Sequence, residues 1–285
     1  MTEKEQTIHI SLLKISQYAQ LSIGCNCVAT IHSIYNNTIN LLINNQLFSL
    51  QPKESHLSPI SLITTRAQFQ QLRLQPHRTY PFHFNYQDCT TFCTKLTACT
   101  SSLTHQLSRY ASLSKKILQQ SDKKGLNLLF HKQNDDLILS AFKQYLIKAK
   151  HFYYMNDEEN ACNMLSKLIG LGIGLTPSGD DFLCGLLATL QHSNATQSHF
   201  YQRLSQQIKQ NLTNTNLISS RFLECALQQQ FSLPVLAFFK NINKQNAEIE
   251  QLSKLFENIG HSSGIDTLFG IYYGYILLLN ENEYC

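Results

Sequence analysis

The sequence lacks any long apolar run. Its longest, Ile271–Leu279 with the letters IYYGYILLL, is too short to cross a bilayer as a helix. The opening stretch MTEKEQTIHISLLK is polar and has no long apolar core, so it predicts no secretory signal. We therefore expect a cytoplasmic protein with no membrane partner.

The chain also lacks a strong charge of one sign and a metal-binding cysteine pattern. Its net charge is only +4 over 285 residues, and the basic residues form no stripe with interleaved aromatics, so we expect no nucleic-acid partner. Cys25 and Cys27 are too close together for a zinc knuckle or a redox pair, although the chain has nine cysteines. Buried free thiols in a reducing compartment are the simplest interpretation.

Short β-branched or alternating segments fill the first third of the chain. They are Cys27–Tyr35, Thr38–Ile43, Gln46–Leu50, Pro59–Thr65 and Thr79–Tyr86. Asparagine pairs separate the first three segments, and asparagine tolerates the left-handed backbone of tight turns. We therefore predict about five strands in a small barrel or sandwich, which forms a β-rich domain over residues 1–86.

From residue 87 onward the apolar residues recur at helical spacing. The predicted helices are Cys89–Leu113, Asp135–Lys150, Asp157–Gly172, Phe182–Gln191, Thr196–Leu212, Ser219–Gln230, Asn246–Asn258 and Ile265–Leu279. The polar stretch Ser121–Asn134 predicts an exposed loop. The expected fold class is therefore α+β, with a β-rich barrel or sandwich followed by a mainly α-helical domain over residues 87–285.

A glycine-rich segment, GLGIGLTPSGDD, precedes the helix predicted to start near Phe182. Thr176 can cap this helix with Pro177 in its first position, or Ser178 can cap it with Asp181 as the acceptor of a capping box. Either choice places a flexible loop before a helix N-terminus. That arrangement binds anions, because free N–H groups and the helix dipole favour negative charge.

A second copy of this helix start occurs 85 positions later. SGDDFLCGL, which begins at Ser178, aligns with SGIDTLFGI, which begins at Ser263, with five identities and one conservative match. The shared leucine and glycine lie beyond what helix capping requires. We therefore predict two helices that pack in the same manner and face one anion pocket.

The repeat separates candidate binding residues from candidate chemical groups. The predicted anion-binding residues are Gly174, Thr176, Ser178, Gly179, Ser262, Ser263, Gly264 and Arg221. Asp181 and Asp266 match each other and are expected to be structural caps. Asp180 has no counterpart, so we predict that it is catalytic and holds a substrate amino group, accepts a proton or binds Mg²⁺. His261 is the second catalytic candidate because it can supply a proton or a positive charge.

Plain alternatives stand beside these assignments. A Ser–Gly–x–Asp sequence is commonly only a helix cap, although the glycines before Asp180 exceed what a cap needs. Arg221 lies where the helix dipole disfavours a cation, so it either pairs with an anion or faces solvent. No cofactor is expected, apart from the magnesium ion that is one of the open roles of Asp180.

Three segments, GLGIGLTPSGDDFLCGLL, ISSRFLECAL and GHSSGIDTLFGI, resemble in this order the motifs of a bacterial family of unknown-function domains. That family includes the smallest of three subunits of the oxamate carbamoyltransferase of anaerobic allantoin breakdown. CVATIHSIYNNTINLLINNQLFSL is similar to the family's N-terminal part, and Gly170–Asp181 match its glycine motif throughout. The resemblance implies carbamoyl transfer between phosphate and an amide or ureido nitrogen, and two larger protein subunits as partners.

Three classes of function therefore remain open. The first is a subunit of a carbamoyltransferase whose small anionic substrate is phosphate, carbamoyl phosphate or a carboxylate. The second is a non-catalytic or regulatory protein that binds such an anion in the same pocket. The third is a metal-dependent hydrolase or lyase built on Asp180, Asp181 and Asp266.

Overall fold

A computed structural model describes residues 7–53, 55–99, 106–131, 136–244 and 248–279. The chain divides into two compact units, Met1–Lys95 and Leu96–Cys285. The first unit is a curled sheet and the second is mostly helical, so the predicted fold class is confirmed. The domain boundary expected after residue 86 stays a prediction.

The strands of the first unit form one eight-stranded sheet in the order β1-β7-β3-β4-β5-β6-β2-β8. They are β1 (Ile8–Ser11), β2 (Lys14–Ser16), β3 (Asn26–Tyr35), β4 (Thr38–Ile43), β5 (Gln46–Pro52), β6 (Ser61–Thr64), β7 (Thr79–Asn85) and β8 (Thr90–Phe92). Two short helices, α1 (Gln17–Gln20) and α2 (Arg66–Gln71), complete the unit.

The centre of this sheet follows the predicted meander. β3, β4 and β5 pair antiparallel in sequence order. Asn44 and Asn45 join β4 to β5 with φ angles of 51° and 61°, the left-handed backbone that a two-residue hairpin turn requires. The asparagine turn between these strands is therefore confirmed.

The strands form a single sheet curled into half a barrel, in agreement with the barrel-like unit that was expected. One prediction at the edge of the sheet needs correction. The helix predicted over Cys89–Leu113 is wrong, because β8 occupies its first residues and the helix there begins only at Leu107. β8 pairs in parallel with β2, a contact between distant segments that overrides the local apolar spacing.

The second unit contains the remaining α-helices. They are α3 (Leu107–Gln120), α4 (Leu137–Tyr154), α5 (Glu158–Ser166), α6 (Ser178–His192), α7 (His199–Gln210), α8 (Leu217–Leu227), α9 (Leu233–Ile242), α10 (Ile249–Glu257) and α11 (Ser263–Leu279). Short 3-10 helices lie at Leu126–Phe130 and Leu212–Asn214.

Helices α6 and α11 form the centre of this unit. Both are buried on nearly all sides, as expected for helices whose apolar residues extend around the whole circumference. Their contact with each other is the most extensive between any two elements of the described chain. Each begins at the serine of its Ser–Gly–x–Asp motif, so the two repeated helix starts lie in the core region of one unit.

The segment predicted as an exposed loop, Ser121–Asn134, contains a short 3-10 helix with buried residues. Leu126 begins a 3-10 helix and is 1% exposed. Its backbone N–H donates to Asp266, a partner that local sequence does not reveal. Helix α9 was also not predicted. Residues 132–134 of the loop and the expected helix starts at Asp135 and Asn246 lie outside the described residues.

None of the cysteines in the described part of the chain forms a disulfide. Among these cysteines Cys162 and Cys225 are buried and Cys25 and Cys93 are exposed, so the prediction of buried thiols holds for part of the set. Burial raises the pKa of Cys162 to about 12, so this thiol stays protonated and packs as a small apolar group.

Candidate functional site

The two helix starts pack against each other with reciprocal contacts. A Cβ atom added to Gly185 of α6 would lie 1.9 Å from the carbonyl oxygen of Thr267 in α11. A Cβ added to Gly270 of α11 would lie 2.0 Å from the carbonyl oxygen of Phe182 in α6. Because Gly270 and Thr267 are the repeat counterparts of Gly185 and Phe182, the helices are related by a local twofold arrangement.

The motif glycines themselves are packed against backbone that precedes each motif, the turn after α5 for Gly179 and helix α10 for Gly264. A Cβ on Gly179 would lie 1.8 Å from the carbonyl oxygen of Leu168, and a Cβ on Gly264 would lie 1.9 Å from that of Phe256. No side chain fits at either position. Glycine is therefore required here for close backbone approach.

The backbone N–H groups of these glycines are already in use. Gly179 donates to the carbonyl of Leu171 at 2.9 Å, and Gly264 donates to that of Ile259 at 3.2 Å. These bonds close the turn before each helix. The predicted role of the two glycines as N–H donors to an anion therefore meets a competing internal bond at both positions.

Asp180 is buried and fully engaged by the protein. It is 2% exposed, its Oδ1 accepts from the N–H of Gly170 at 2.9 Å, and its Oδ2 accepts from the Thr215 hydroxyl at 2.5 Å. Burial raises the pKa of Asp180, and the bonds from Thr215, Gly170 and Ser219 lower it. This carboxylate ties the glycine-rich loop to the start of α8.

Asp266 also serves a neighbouring element. Its Oδ1 accepts from the N–H of Leu126 at 2.6 Å, so it satisfies the first N–H of the 3-10 helix there. Burial raises the pKa of Asp266 to about 6, while the Leu126 N–H and the hydroxyls of Ser178 and Ser262 lower it. Its Oδ2 is shielded from solvent and has no hydrogen-bond partner among the described residues.

Asp181, in the first turn of α6, lies near Asp266 and near the hydroxyls of Ser263 and Thr176. Burial and, after it, the Asp266 carboxylate raise the pKa of Asp181, while the Ser263 and Thr176 hydroxyls lower it. The residue is partly exposed, but its Oδ2 is shielded and makes no hydrogen bond within the described chain. Pro177 takes the cap position of α6 without a side-chain bond, so the predicted capping box is absent from this described helix.

The serine of each motif lies close enough to the aspartate of the other motif to lower its pKa. Ser178 of the first motif lies beside Asp266, and Ser263 of the second lies beside Asp181. A direct bond of 2.7 Å joins the hydroxyls of Thr176 and Ser263. The sequence prediction that the two motifs come together is supported by these contacts.

The remaining candidates lie at the edge of this cluster or away from it. His261 is exposed, whereas Ser262 and Thr176 are only partly so. Gly174 is exposed at the tip of the loop, where φ is 112°. Arg221 is 4% exposed and forms an ion pair with Glu224 at 3.1 Å, so the interpretation as a solvent-facing side chain is wrong.

Sequence reasoning missed three contributors to the site. Leu126 bonds Asp266, Thr215 bonds Asp180, and Asn216 donates from its side chain to the carbonyl of Leu175 at 3.0 Å. The sequence signal for the Leu126 contact was the glycine before it, Gly125. In the structure a Cβ at this position would lie 2.5 Å from Asp266 Oδ1, so the close approach requires glycine. The other two belong to the polar run TNTN, directly before α8, which carries no sequence signal for these particular partners.

The described residues offer neither a metal-binding cluster nor a membrane-spanning helix. They contain no group of three or more histidine, cysteine, aspartate or glutamate side chains arranged to hold a metal ion. None of the helices found in the described ranges has the length and apolar character needed to cross a membrane.

Fold and site define a protein with a curled β-sheet unit and a helical unit organised around duplicated helix starts. The chain belongs to the AllH family. A family model described as oxamate carbamoyltransferase subunit AllH matches residues 168–275, and a model of the AllH family N-terminal domain matches residues 7–102. The resemblance inferred from sequence is therefore confirmed. No solved structure matches the chain.

Proposed function

We propose that this chain is a working subunit of an oxamate-type carbamoyltransferase and that the paired starts of α6 and α11 form part of its substrate site. The observation that carries the proposal is the joining of two motifs, 85 positions apart, by the Thr176–Ser263 hydroxyl bond. Both motifs lie in the segment that matches the carbamoyltransferase subunit family. A packing device alone would not require partly exposed hydroxyls at this junction.

The reaction sets three requirements for such a site. The nitrogen of oxamate attacks the carbamoyl carbon of carbamoyl phosphate, the bond from that carbon to the phosphate oxygen breaks, and phosphate leaves. A base takes one proton from the attacking nitrogen, and donors stabilise the carbamoyl oxygen. The hydroxyls of Thr176, Ser262 and Ser263 are the donors in our proposal, and exposed His261 is the base.

Asp180 enters this proposal as a positioning residue. Both of its oxygens accept hydrogen bonds, from Gly170 and Thr215, so it fixes the glycine-rich loop next to the hydroxyls. The loop itself carries Ile173 and Leu175, which are 83% and 52% exposed. Exposed apolar side chains beside a candidate site support our proposal that partner subunits, two larger proteins, complete it.

The test is carbamoyl transfer by the assembled complex. The chain is produced together with its partner proteins, and phosphate release from carbamoyl phosphate is followed with and without oxamate. Changing Ser263 to alanine should lower kcat/KM by about tenfold or more, as loss of one oriented donor does. Ser166→Ala is the matched control, because this partly buried serine of α5 bonds only locally, to the carbonyl of Asn163.

Two results would contradict the proposal. One is full oxamate-dependent transfer by the partner proteins when this chain is left out. The other is an unchanged kcat/KM in Ser263→Ala, measured with a complex whose composition matches the wild type.

A further inference from the structure

Two carboxylate oxygens near the starts of α6 and α11 have no hydrogen-bond or ion-pair partner among the described residues. They are Oδ2 of Asp181 and Oδ2 of Asp266, both shielded from solvent and without a hydrogen bond in the described part of the chain. Asp266 is 0% exposed as a residue. None of the ion pairs between described residues involves either aspartate.

Buried carboxylates need compensation. Leaving one unpaired is unfavourable, and two that repel each other are more so. The positive ends of the two helix dipoles offset only part of this cost. Either a proton or a bound cation must therefore neutralise the pair.

The surrounding groups favour a hard cation. Hydroxyls of Ser178 and Ser262 lie beside Asp266, and those of Thr176 and Ser263 lie beside Asp181. Carboxylate and hydroxyl oxygens suit Mg²⁺, which commonly uses only one or two protein carboxylates and completes its shell with water and substrate phosphate. A site of this kind is compatible with the absence of a three-residue metal cluster among the described residues.

We propose that Asp181 and Asp266 together hold one divalent cation of the magnesium class at the junction of the two helix starts, and that this cation binds the phosphate group of the substrate. The phosphate part rests on the proposed function, whereas the cation part does not. This assignment places the ligand at the two matched aspartates and leaves Asp180 with the loop.

The test is Mn²⁺ binding to the full-length, metal-free chain, followed by the loss of the electron paramagnetic resonance signal of free Mn²⁺. We expect the wild type to bind one Mn²⁺ that Mg²⁺ displaces. Asp181→Asn should weaken the affinity by about tenfold or more. Asp157→Asn is the matched control, since it removes the same charge at the start of another helix, α5, where asparagine can still accept the capping bond, and its affinity should stay close to wild type.

Circular dichroism of each variant confirms that it is folded before binding is compared. The proposal is overturned if the wild type leaves the free Mn²⁺ signal unchanged at millimolar concentration, which would mean that protons neutralise the pair. It is also overturned if folded Asp181→Asn binds as tightly as the wild type. If the complex still transfers the carbamoyl group in excess chelator, the proposal of a substrate-binding cation is contradicted, whereas the proposed function is not.

Discussion

The two helix starts are copies in their packing and differ in their loops. In both, the motif glycine donates back to the turn before the helix, to Leu171 in the first copy and to Ile259 in the second. That bond spans eight positions in the first copy and five in the second. The extra residues of the first copy are the glycine-rich loop, and Asp180 is the group that holds Gly170 at its beginning.

The difference explains why one aspartate lacks a counterpart. The second copy has a short turn, so it has no loop to tie down, and Ile265 takes the place of Asp180 as a buried apolar residue. An unmatched residue in a repeat is therefore not automatically a chemical group. Here the acid without a repeat counterpart, Asp180, holds the glycine-rich loop, which is also present only in the first copy.

The strongest test of the twofold packing is to add a methyl group to each copy. Gly185→Ala and Gly270→Ala should each lower the free energy of unfolding by about 3 kcal/mol or more, because a backbone carbonyl blocks both Cβ positions. The gain in helix propensity of about 1 kcal/mol is too small to offset this. Urea unfolding of the two variants measures the loss.

The control for this pair is Gly274→Ala in α11. Its Cβ would meet the side chain of Thr189 at 2.7 Å and no backbone carbonyl, so a smaller loss is expected. Unequal losses at Gly185 and Gly270 would show that the packing is not symmetric in energy.

The next largest expected effect is a difference in pH dependence between the C-terminal ends of α6 and α11. His192 of α6 is 4% exposed and stacks on Phe239, and its repeat counterpart in α11 is Leu277. Burial lowers the pKa of His192 to about 4. Between about pH 6.5 and 4 the unfolded chain therefore binds a proton that the folded chain does not, and the free energy of unfolding falls by up to about 3 kcal/mol as pH decreases.

His192→Leu makes α6 resemble α11 at this position and should remove that part of the acid sensitivity. The measurement is urea unfolding at several values between pH 7 and 4 for the wild type and the variant. Parallel pH curves for the two proteins would rule out His192 as the source.

A third comparison concerns the matched aspartates. Asp266→Ala leaves the N–H of Leu126 without its acceptor and should cost about 1–3 kcal/mol in the free energy of unfolding. Asp181→Ala removes a carboxylate that repels Asp266, so it should cost less or stabilise the metal-free protein. Thermal melting of both variants in the presence of a chelator measures which of them loses more stability. A larger loss for Asp181→Ala would mean that its carboxylate has a capping duty after all.

The smallest expected effect is the hydroxyl bond between the copies. Thr176→Val and Ser263→Ala, alone and combined, form a double-mutant cycle with an expected coupling of about 1 kcal/mol. Thr267→Val combined with Thr176→Val is a control cycle, because Thr267 donates within its own helix, to the carbonyl of Ser263. Coupling near zero in the first cycle would mean that the bond joins the motifs without stabilising them.

Local signals explain what the sequence allowed us to predict. The hairpin turn at Asn44 and Asn45, the central strands and the starts of α6 and α11 depend on residues within a few positions of one another. The repeat itself revealed that the two starts belong together. Strands β1, β2 and β8 escaped notice because each has only three or four residues and is defined by its pairing with a distant strand.

The roles of the aspartates depended on partners far along the chain. Asp266 bonds Leu126, 140 positions away, and Asp180 bonds Thr215, 35 positions away. A capping box was the best local interpretation of Asp181 and Asp266, but local spacing cannot reveal a carboxylate that serves another element. The hydrogen-bond partners of Asp180 and Asp266 could therefore be identified only from the three-dimensional contacts.

The reciprocal contact of α6 and α11 also has a consequence for synthesis on the ribosome, because α6 is made before the helix that covers it. Their motifs are 85 positions apart, so at ribosomal speeds of 5–20 residues per second α6 waits roughly 4 to 17 seconds for α11 to be made. During that time the apolar surface of α6 that α11 will cover has no native cover from its partner helix. This interval is when a nascent chain would depend most on a chaperone, and it ends only when the second copy of the motif reaches the first.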